Sequence, residues 1–302
     1  MSNRQNGISI DRLKDLVRER SKRADLSLED RRKIMDGNAV QFPVPDGVSV
    51  SAENMDGLSA EWSVPSGVAK EPVLLYFHGG GYLTGSSVSH RHITSRISLA
   101  AAARVLSVDY ALAPENVFPA AVNDGVKAYR WLLQQGYAPS RIAVAGDSAG
   151  GGLAAAMLLA ARDEGLPLPA CAALISPWSD LTCDTESYKT KADADPMITP
   201  EGIRLLASVY LGGADPRNPL ASPNFADLKG LPPMLIQVGT DEVLLDDARN
   251  LAAAAKEAGV DVRLEVWDGM IHVWHAFYQM LPEGEQAIDE LGAYLREQWR
   301  VS

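Results

Sequence analysis

VAGDSAGGGLAAAMLLAA, residues 144–161, sets a charged Asp147 and a hydroxyl, Ser148, among glycines at the head of a long apolar run. One reading is an ordinary glycine turn in which Ser148 caps a helix. The other is a strand, a sharp turn and a helix that together push a serine hydroxyl out above a sheet. The segment fits G-x-S-x-G at Gly146-Asp147-Ser148-Ala149-Gly150, with β-rich RIAVAG (141–146) before it and a helical pattern over 149–163 after it. That context is the one a nucleophile elbow requires. The physics is steric: side chains two residues before and after the serine would collide in so tight a turn, so glycine fills both places. The helix N-terminus then turns its N–H groups and positive dipole end toward any developing oxyanion.

Outward from this segment the chain keeps a rhythm. Short β-rich apolar runs lie at PVLLYF (72–77), RVLSVD (104–109), RIAVAG (141–146), ACAALIS (170–176), PMLIQVG (233–239) and VRLEVW (262–267). Helical patterns fall between them at 89–103, 119–135, 149–163 and 246–258, and a closing helix covers 284–299. Strands apolar throughout and separated by helices predict a parallel sheet buried on both faces. Right-handed crossovers make it a doubly wound α/β sheet. Residues 43–64 are expected to add earlier antiparallel strands. Near the N-terminus, Ile10, Leu13, Leu16 and Val17 recur at helical spacing within 8–23. Ser27 with Asp30 resembles a capping box opening a second helix, which Gly37 would end. Residues 177–225 break the rhythm. So long a bare loop is improbable in a compact domain, and Ile198, Leu205, Leu206, Val209 and Tyr210 predict a helical insertion. Insertions after strand ends sit over the ligand crevice of such sheets.

A serine hydroxyl is a weak nucleophile until a base takes its proton. The chain has five histidines: His78, His90, His92, His272 and His275. His272 fits best, because it follows a turn, Asp268-Gly269-Met270-Ile271, just beyond the last strand. His275 is the reserve. The base needs a carboxylate to hold its tautomer. In VGTDEVLLDD (238–247), Asp241 falls at the strand end with Glu242 as its nearest competitor, whereas Asp246 and Asp247 suit a helix N-terminus. Ser148, Asp241 and His272 follow the chain order of the α/β-hydrolases. Backbone donors for an oxyanion are expected from the glycines of His78-Gly79-Gly80-Gly81 and from Ala149. Asp147 reads as a brace of the elbow. Glu115 is expected to anchor a loop near the site. Tyr82, Trp178, Leu205 and Val209 are candidate pocket walls, with core packing as the alternative for each.

Composition narrows the partners. At 302 residues and 46 % hydrophobic content the chain can bury a large core. A net charge of −11 disfavours nucleic acid and anionic membrane as partners. The N-terminal MSNRQNGISIDR has no apolar signal region, and the run 149–161 is too short to span a bilayer. Cys171 and Cys183 form no metal-binding or disulfide pattern, so the expectation is a cytoplasmic protein without metal or cofactor.

The chain resembles the hormone-sensitive-lipase-like α/β-hydrolases, the bacterial family IV esterases. The likeness runs over about 70–298 and rests on HGGGY (78–82), DYALAPENVFPAA (109–121), GDSAGGGLA (146–154), SPWSDL (176–181), the Asp241 segment and GMIH (269–272). It implies a mostly parallel central sheet flanked by helices. Residues 41–176 and 226–302 would form the catalytic core, with 1–40 and 177–225 as a helical cap over the acyl site. It further implies a serine carboxylesterase for esters of short to medium acyl chains, with Gly80 and Gly81 as the direct oxyanion donors. A homodimer through the edge strand 262–267 is implied as well. Amide, lactone or carbamate hydrolysis would use the same machinery, and non-catalytic binding of a small molecule is the alternative outside enzymology. Ala111, Gly152 and Val273-Trp274 depart from the family pattern; the last places bulk beside His272.

Overall fold

The computed structural model describes residues 7–21 and 26–301. Two helices come first, α1 (Ile10–Ser21) and α2 (Leu28–Gln41), then an antiparallel pair, β1 (Val48–Met55) and β2 (Leu58–Pro65). The expected alternation follows as β3 (Val73–Phe77), α3 (Ser87–Ala101), β4 (Arg104–Val108), α4 (Ala120–Gln134), β5 (Ile142–Asp147), α5 (Ala149–Asp163) and β6 (Cys171–Ile175). The insertion carries α6 (Ser187–Thr190) and α7 (Pro200–Leu211). The chain closes with β7 (Met234–Gly239), α8 (Leu245–Glu257), β8 (Val262–Trp267) and α9 (Pro282–Val301). The end of the first predicted helix, residues 22–23, lies outside the described residues, as do residues 1–6 of the expected cap. Gly37 does not end α2, which runs on to Gln41. Glycine lowers helix propensity by only about 1 kcal/mol, and here that cost does not stop the helix.

The strands form one eight-stranded sheet in the order β1-β2-β4-β3-β5-β6-β7-β8, antiparallel at β1, β2 and β4 and parallel from β4 to β8. Alternation along the buried strands divides the core in two. Val73, Leu75 and Phe77 of β3 pack toward α4 and α5, whereas Leu74 and Tyr76 pack with Ile93 and Ile97 of α3 and Leu291 and Leu295 of α9. β3, β5, β6 and β7 are buried along their whole length, as strands covered on both faces must be. β1 and β8 are the edges, and both alternate partly to solvent.

Parallel strands all deliver their C-terminal ends to one side. The turns after β3, β5, β6, β7 and β8 therefore gather His78, Ser148, Ser176, Glu242 and His272 along one edge. Among the described residues, no helix is long and apolar enough to cross a membrane.

Candidate active site

Ser148 leaves β5 at φ 55 and ψ −123, a left-handed conformation that a non-glycine residue adopts only when its surroundings impose it. The glycines on either side explain how the turn closes. A Cβ on Gly146 would fall on the Gly150 carbonyl, and a Cβ on Gly150 on the Phe77 carbonyl. The Ser148 side chain makes no cap hydrogen bond to α5, so the capping reading of the segment fails. Its backbone is pinned instead: the Ser148 N–H donates to the Ile175 carbonyl at 2.9 Å, and its carbonyl accepts the Trp178 N–H at 2.9 Å.

Asp147 joins the elbow to the glycine loop. Its Oδ1 accepts the Tyr76 hydroxyl at 2.7 Å and the Gly79 N–H at 3.1 Å, and its Oδ2 lies 3.4 Å from His90 Nε2. Burial opposes the charge of Asp147, but the charge and hydrogen bond of His90 and the Tyr76 hydroxyl hold its carboxyl down at about 2. This corrects one expected donor. The Gly79 N–H is already engaged by Asp147 and cannot serve an oxyanion. Among the described residues, the N–H groups of Gly80, Gly81 and Ala149 make no hydrogen bond. Gly80 and Gly81 stand at φ 120 and 63, values that glycine reaches without strain. His78 supports the loop from below: its ring stacks on Tyr110 at 4.3 Å, and its carbonyl accepts the Tyr110 hydroxyl at 2.7 Å. Burial lowers the His78 imidazole to about 3, so it stays neutral.

At the histidine the sequence-based expectation needs a second correction. The carboxylate on His272 is Glu242, whose Oε2 lies 2.8 Å from His272 Nδ1. Asp241, the expected partner, turns outward and pairs with Lys14 of α1 at 2.6 Å. Glu242 is fully buried and saturated: its Oε1 accepts the Gly239 N–H at 2.6 Å and the Ser176 hydroxyl at 2.8 Å. Burial works against protonation of His272, but the hydrogen bond and charge of Glu242, with the charges of Asp195 and Asp147, raise its pKa overall. His275 cannot substitute. It is completely buried, its Nε2 contacts Gln237 Oε1 at 2.9 Å, and burial lowers it to about 3.

Ser176 escaped the sequence reading. It sits at φ 44 just after β6, its hydroxyl donates a hydrogen bond to Glu242 at 2.8 Å, and its oxygen accepts the Val273 N–H at 3.2 Å. It thereby ties the acid to the residue next to His272. Its sequence signals were its position at a strand end, before Pro177, and its place at the head of SPWSDL (176–181), and neither pointed to a role for its hydroxyl. Lys14 escaped too, since nothing local links it to Asp241.

The expected pocket walls divide. Tyr82 stacks on Tyr210 of α7, with ring centroids 3.7 Å apart and planes 5° apart, and also contacts Trp178. Both Tyr82 and Trp178 are buried, and Val209 is half-buried against the core. Leu205 is not a wall: it is 65 % exposed. Its neighbour Leu206 faces the glycine loop, and its Cδ1 would lie 2.6 Å from a Cβ at Gly81. Glu115 anchors α2 to the core. Arg32 holds it at 2.8 Å and also donates to the carbonyl of Leu83, just beyond the glycine loop, and to that of Ala113, in the segment after β4. Among the described residues, no cluster of His, Cys, Asp and Glu could hold a metal ion.

A profile of proteins with the alpha/beta hydrolase fold matches residues 74–276. An acetyl-hydrolase of Streptomyces hygroscopicus is 52 % identical over 238 residues, 79 % of this chain and 79 % of its own. An esterase of Acinetobacter venetianus is 31 % identical over 264 residues, 87 % of each chain. Among solved structures, a crystal of EstE5 soaked with p-nitrophenyl butyrate superposes with a TM-score of 0.93 at 53 % identity, covering 96 % of this chain and 98 % of that one. An esterase from the bacterial hormone-sensitive lipase family gives a TM-score of 0.94 at 49 % identity, with the same coverage.

Proposed function

Because the chain belongs to the hormone-sensitive-lipase-like family of α/β-hydrolases, we propose that it is a serine carboxylesterase, with Ser148 as nucleophile, His272 as base and Glu242 as its acid. The observation that carries the reading is Ser148 itself, strained at φ 55 between two glycines and followed by a helix whose first N–H is free.

The chemistry follows from the placement of each group. Glu242 occupies His272 Nδ1, so the other ring nitrogen, Nε2, is the one that takes the Ser148 proton. Ser148 Oγ adds to the ester carbonyl carbon, and the oxygen that becomes negative is met by the N–H groups of Gly80, Gly81 and Ala149. Collapse of this intermediate expels the alcohol, which takes the proton from His272, and leaves the acyl group on Ser148. Water then adds with His272 again as base, and the carboxylic acid departs. The Gly239 N–H and the Ser176 hydroxyl fix the buried Glu242 side chain so that its Oε2 faces the imidazolium as that forms.

Esters of short to medium acyl chains are the substrate class. Leu206 stands against Gly81, and the next residue of the glycine loop, Tyr82, packs on Tyr210 and Trp178, so bulky side chains crowd this end of the loop. The names of the relatives, an acetyl-hydrolase and esterases, favour the same class.

The test is hydrolysis of p-nitrophenyl esters from acetate to palmitate by the parent and by Ser148→Ala. The parent should peak at short or medium chains, and the variant should lose several orders of magnitude in kcat while remaining folded. Near-normal turnover by Ser148→Ala, or a peak at palmitate, overturns the proposal.

A further inference from the structure

Three successive residues after β7 are each pinned from a different part of the molecule. Asp241 is held by Lys14 of α1, and Glu242 by Gly239, Ser176 and His272. The Val243 N–H is held by Asp195, a residue of the insertion, whose Oδ2 accepts it at 3.0 Å. Asp195 is 7 % exposed, and its Oδ1 accepts the N–H groups of Met197 and Ile198 at 2.9 and 3.0 Å. Both carboxyl oxygens thus act as acceptors and, among the described residues, no lysine or arginine forms an ion pair with it; burial raises the pKa of its carboxyl, while the charge of His272 and the three backbone N–H groups favour the carboxylate form.

On the proposed triad, we infer that Asp195 is a positioning residue for the Glu242–His272 pair, by which the insertion holds the acid turn in register and adds a negative charge of its own to the field of the base. The mechanical part is the bond to Val243, adjacent to the acid. Glu242 can aim its Oε2 at His272 only while the backbone of this turn keeps its course, and the Asp195 bond fixes that course from outside. A small displacement of such a pair is costly to rate.

The electrostatic part follows from burial. Three carboxylates act on His272: Glu242 from the turn after β7, Asp195 from the insertion and Asp147 from the end of β5. Neutral His275 is the further titratable neighbour. All three carboxylates favour the protonated imidazole, so each lifts the pH at which the base is lost. Asp195 is the one that belongs to the insertion, so docking of that segment and basicity of His272 are coupled.

Asp195→Asn and Asp195→Ala test the inference through the pH dependence of kcat/KM for p-nitrophenyl butyrate, with thermal melting as the check on folding and Ser148→Ala alongside. Asp195→Asn keeps an acceptor and loses the charge. Its acid limb should move to lower pH by about half a unit or more, because removing a negative neighbour lowers the pKa of the base. Asp195→Ala loses the bond as well, and its kcat should fall about tenfold with KM little changed. A merely structural residue would lower the melting point and leave the limb of Asp195→Asn where the parent has it. That coincidence of limbs, or an effect confined to KM, overturns the inference while loss of activity in Ser148→Ala leaves the triad standing. An active Ser148→Ala removes the triad and the inference together.

Discussion

Glu242 Oε2 lies 2.8 Å from His272 Nδ1, while Asp241, one residue earlier, points away to Lys14 at 2.6 Å. Two adjacent acids at one strand end therefore have different partners: one meets His272, the base of the proposed triad, and the other fastens α1 to the loop beside it. Leu13, the neighbour of Lys14, is buried against Met270 and Ile271, so the same helix also packs on the segment leading to His272.

This division predicts unequal effects of neutralising the two acids. Glu242→Gln should lower kcat by roughly 10³–10⁴-fold, because the amide no longer stabilises the imidazolium or its tautomer. Asp241→Asn should stay within a few-fold of the parent and should cost about 1 kcal/mol or less in stability, as befits a partly exposed ion pair. Steady-state kinetics of the two variants decides it, and equal losses would contradict the assignment.

The glycine loop predicts a second result. Gly81 combines φ 63 with Leu206 pressed against the place of a Cβ, so Gly81→Ala brings both backbone strain and a clash. The N–H at this position should swing out of line, with kcat falling by about 10²-fold. Adding Leu206→Ala should recover part of that loss by removing the clash, although the strain of a non-glycine residue at this φ, about 1–2 kcal/mol, persists. No recovery in the double variant would mean that the contact with Leu206 is immaterial.

Buried histidines predict the response of stability to acid. Burial lowers His78, His92 and His275 to about 3, 4 and 3. Below pH 6.5 the unfolded chain binds protons that these native side chains refuse, so stability falls as pH drops from 6.5 toward 4. His90 and His272, whose values are raised, act oppositely: their contribution is complete below 6.5 and is lost as pH rises through their folded values. Asp147, held at about 2, adds stability that is lost only below pH 3.8. His275→Gln should remove about 1.4 kcal/mol per pH unit from the slope between 6.5 and 4. Denaturant melts at several pH values measure this, and an unchanged slope would refute it.

Much of the site was legible in the chain. The elbow is a local object: strand, two glycines and a helix are contiguous, and their clashes are between residues four apart or fewer, or with the neighbouring strand. The strands β3, β5, β6 and β7 were legible because residues buried on both faces leave a nearly continuous apolar run, whereas β8, at the edge, shows itself by alternation. The choice between Leu205 and Leu206 was not, since both fit a helix face and only the packing of α7 onto Gly81 distinguishes them. The engagement of the Gly79 N–H was hidden for the same reason, because its acceptor, Asp147, lies 68 residues away.

By itself the sequence determined the alternation of strands and helices, the strand ends at which the residues of the proposed site emerge, and their order along the chain. These rest on periodicity and on steric demands written along a single stretch of backbone. The tertiary structure alone decided which of two neighbouring acids meets His272. In the turn after β7, side chains one residue apart leave in different directions. Which of them turns inward was settled by Lys14, 227 residues from Asp241, and by Ser176, just past the end of the adjacent strand β6. Those contacts exist only once the sheet and its covering helices have assembled.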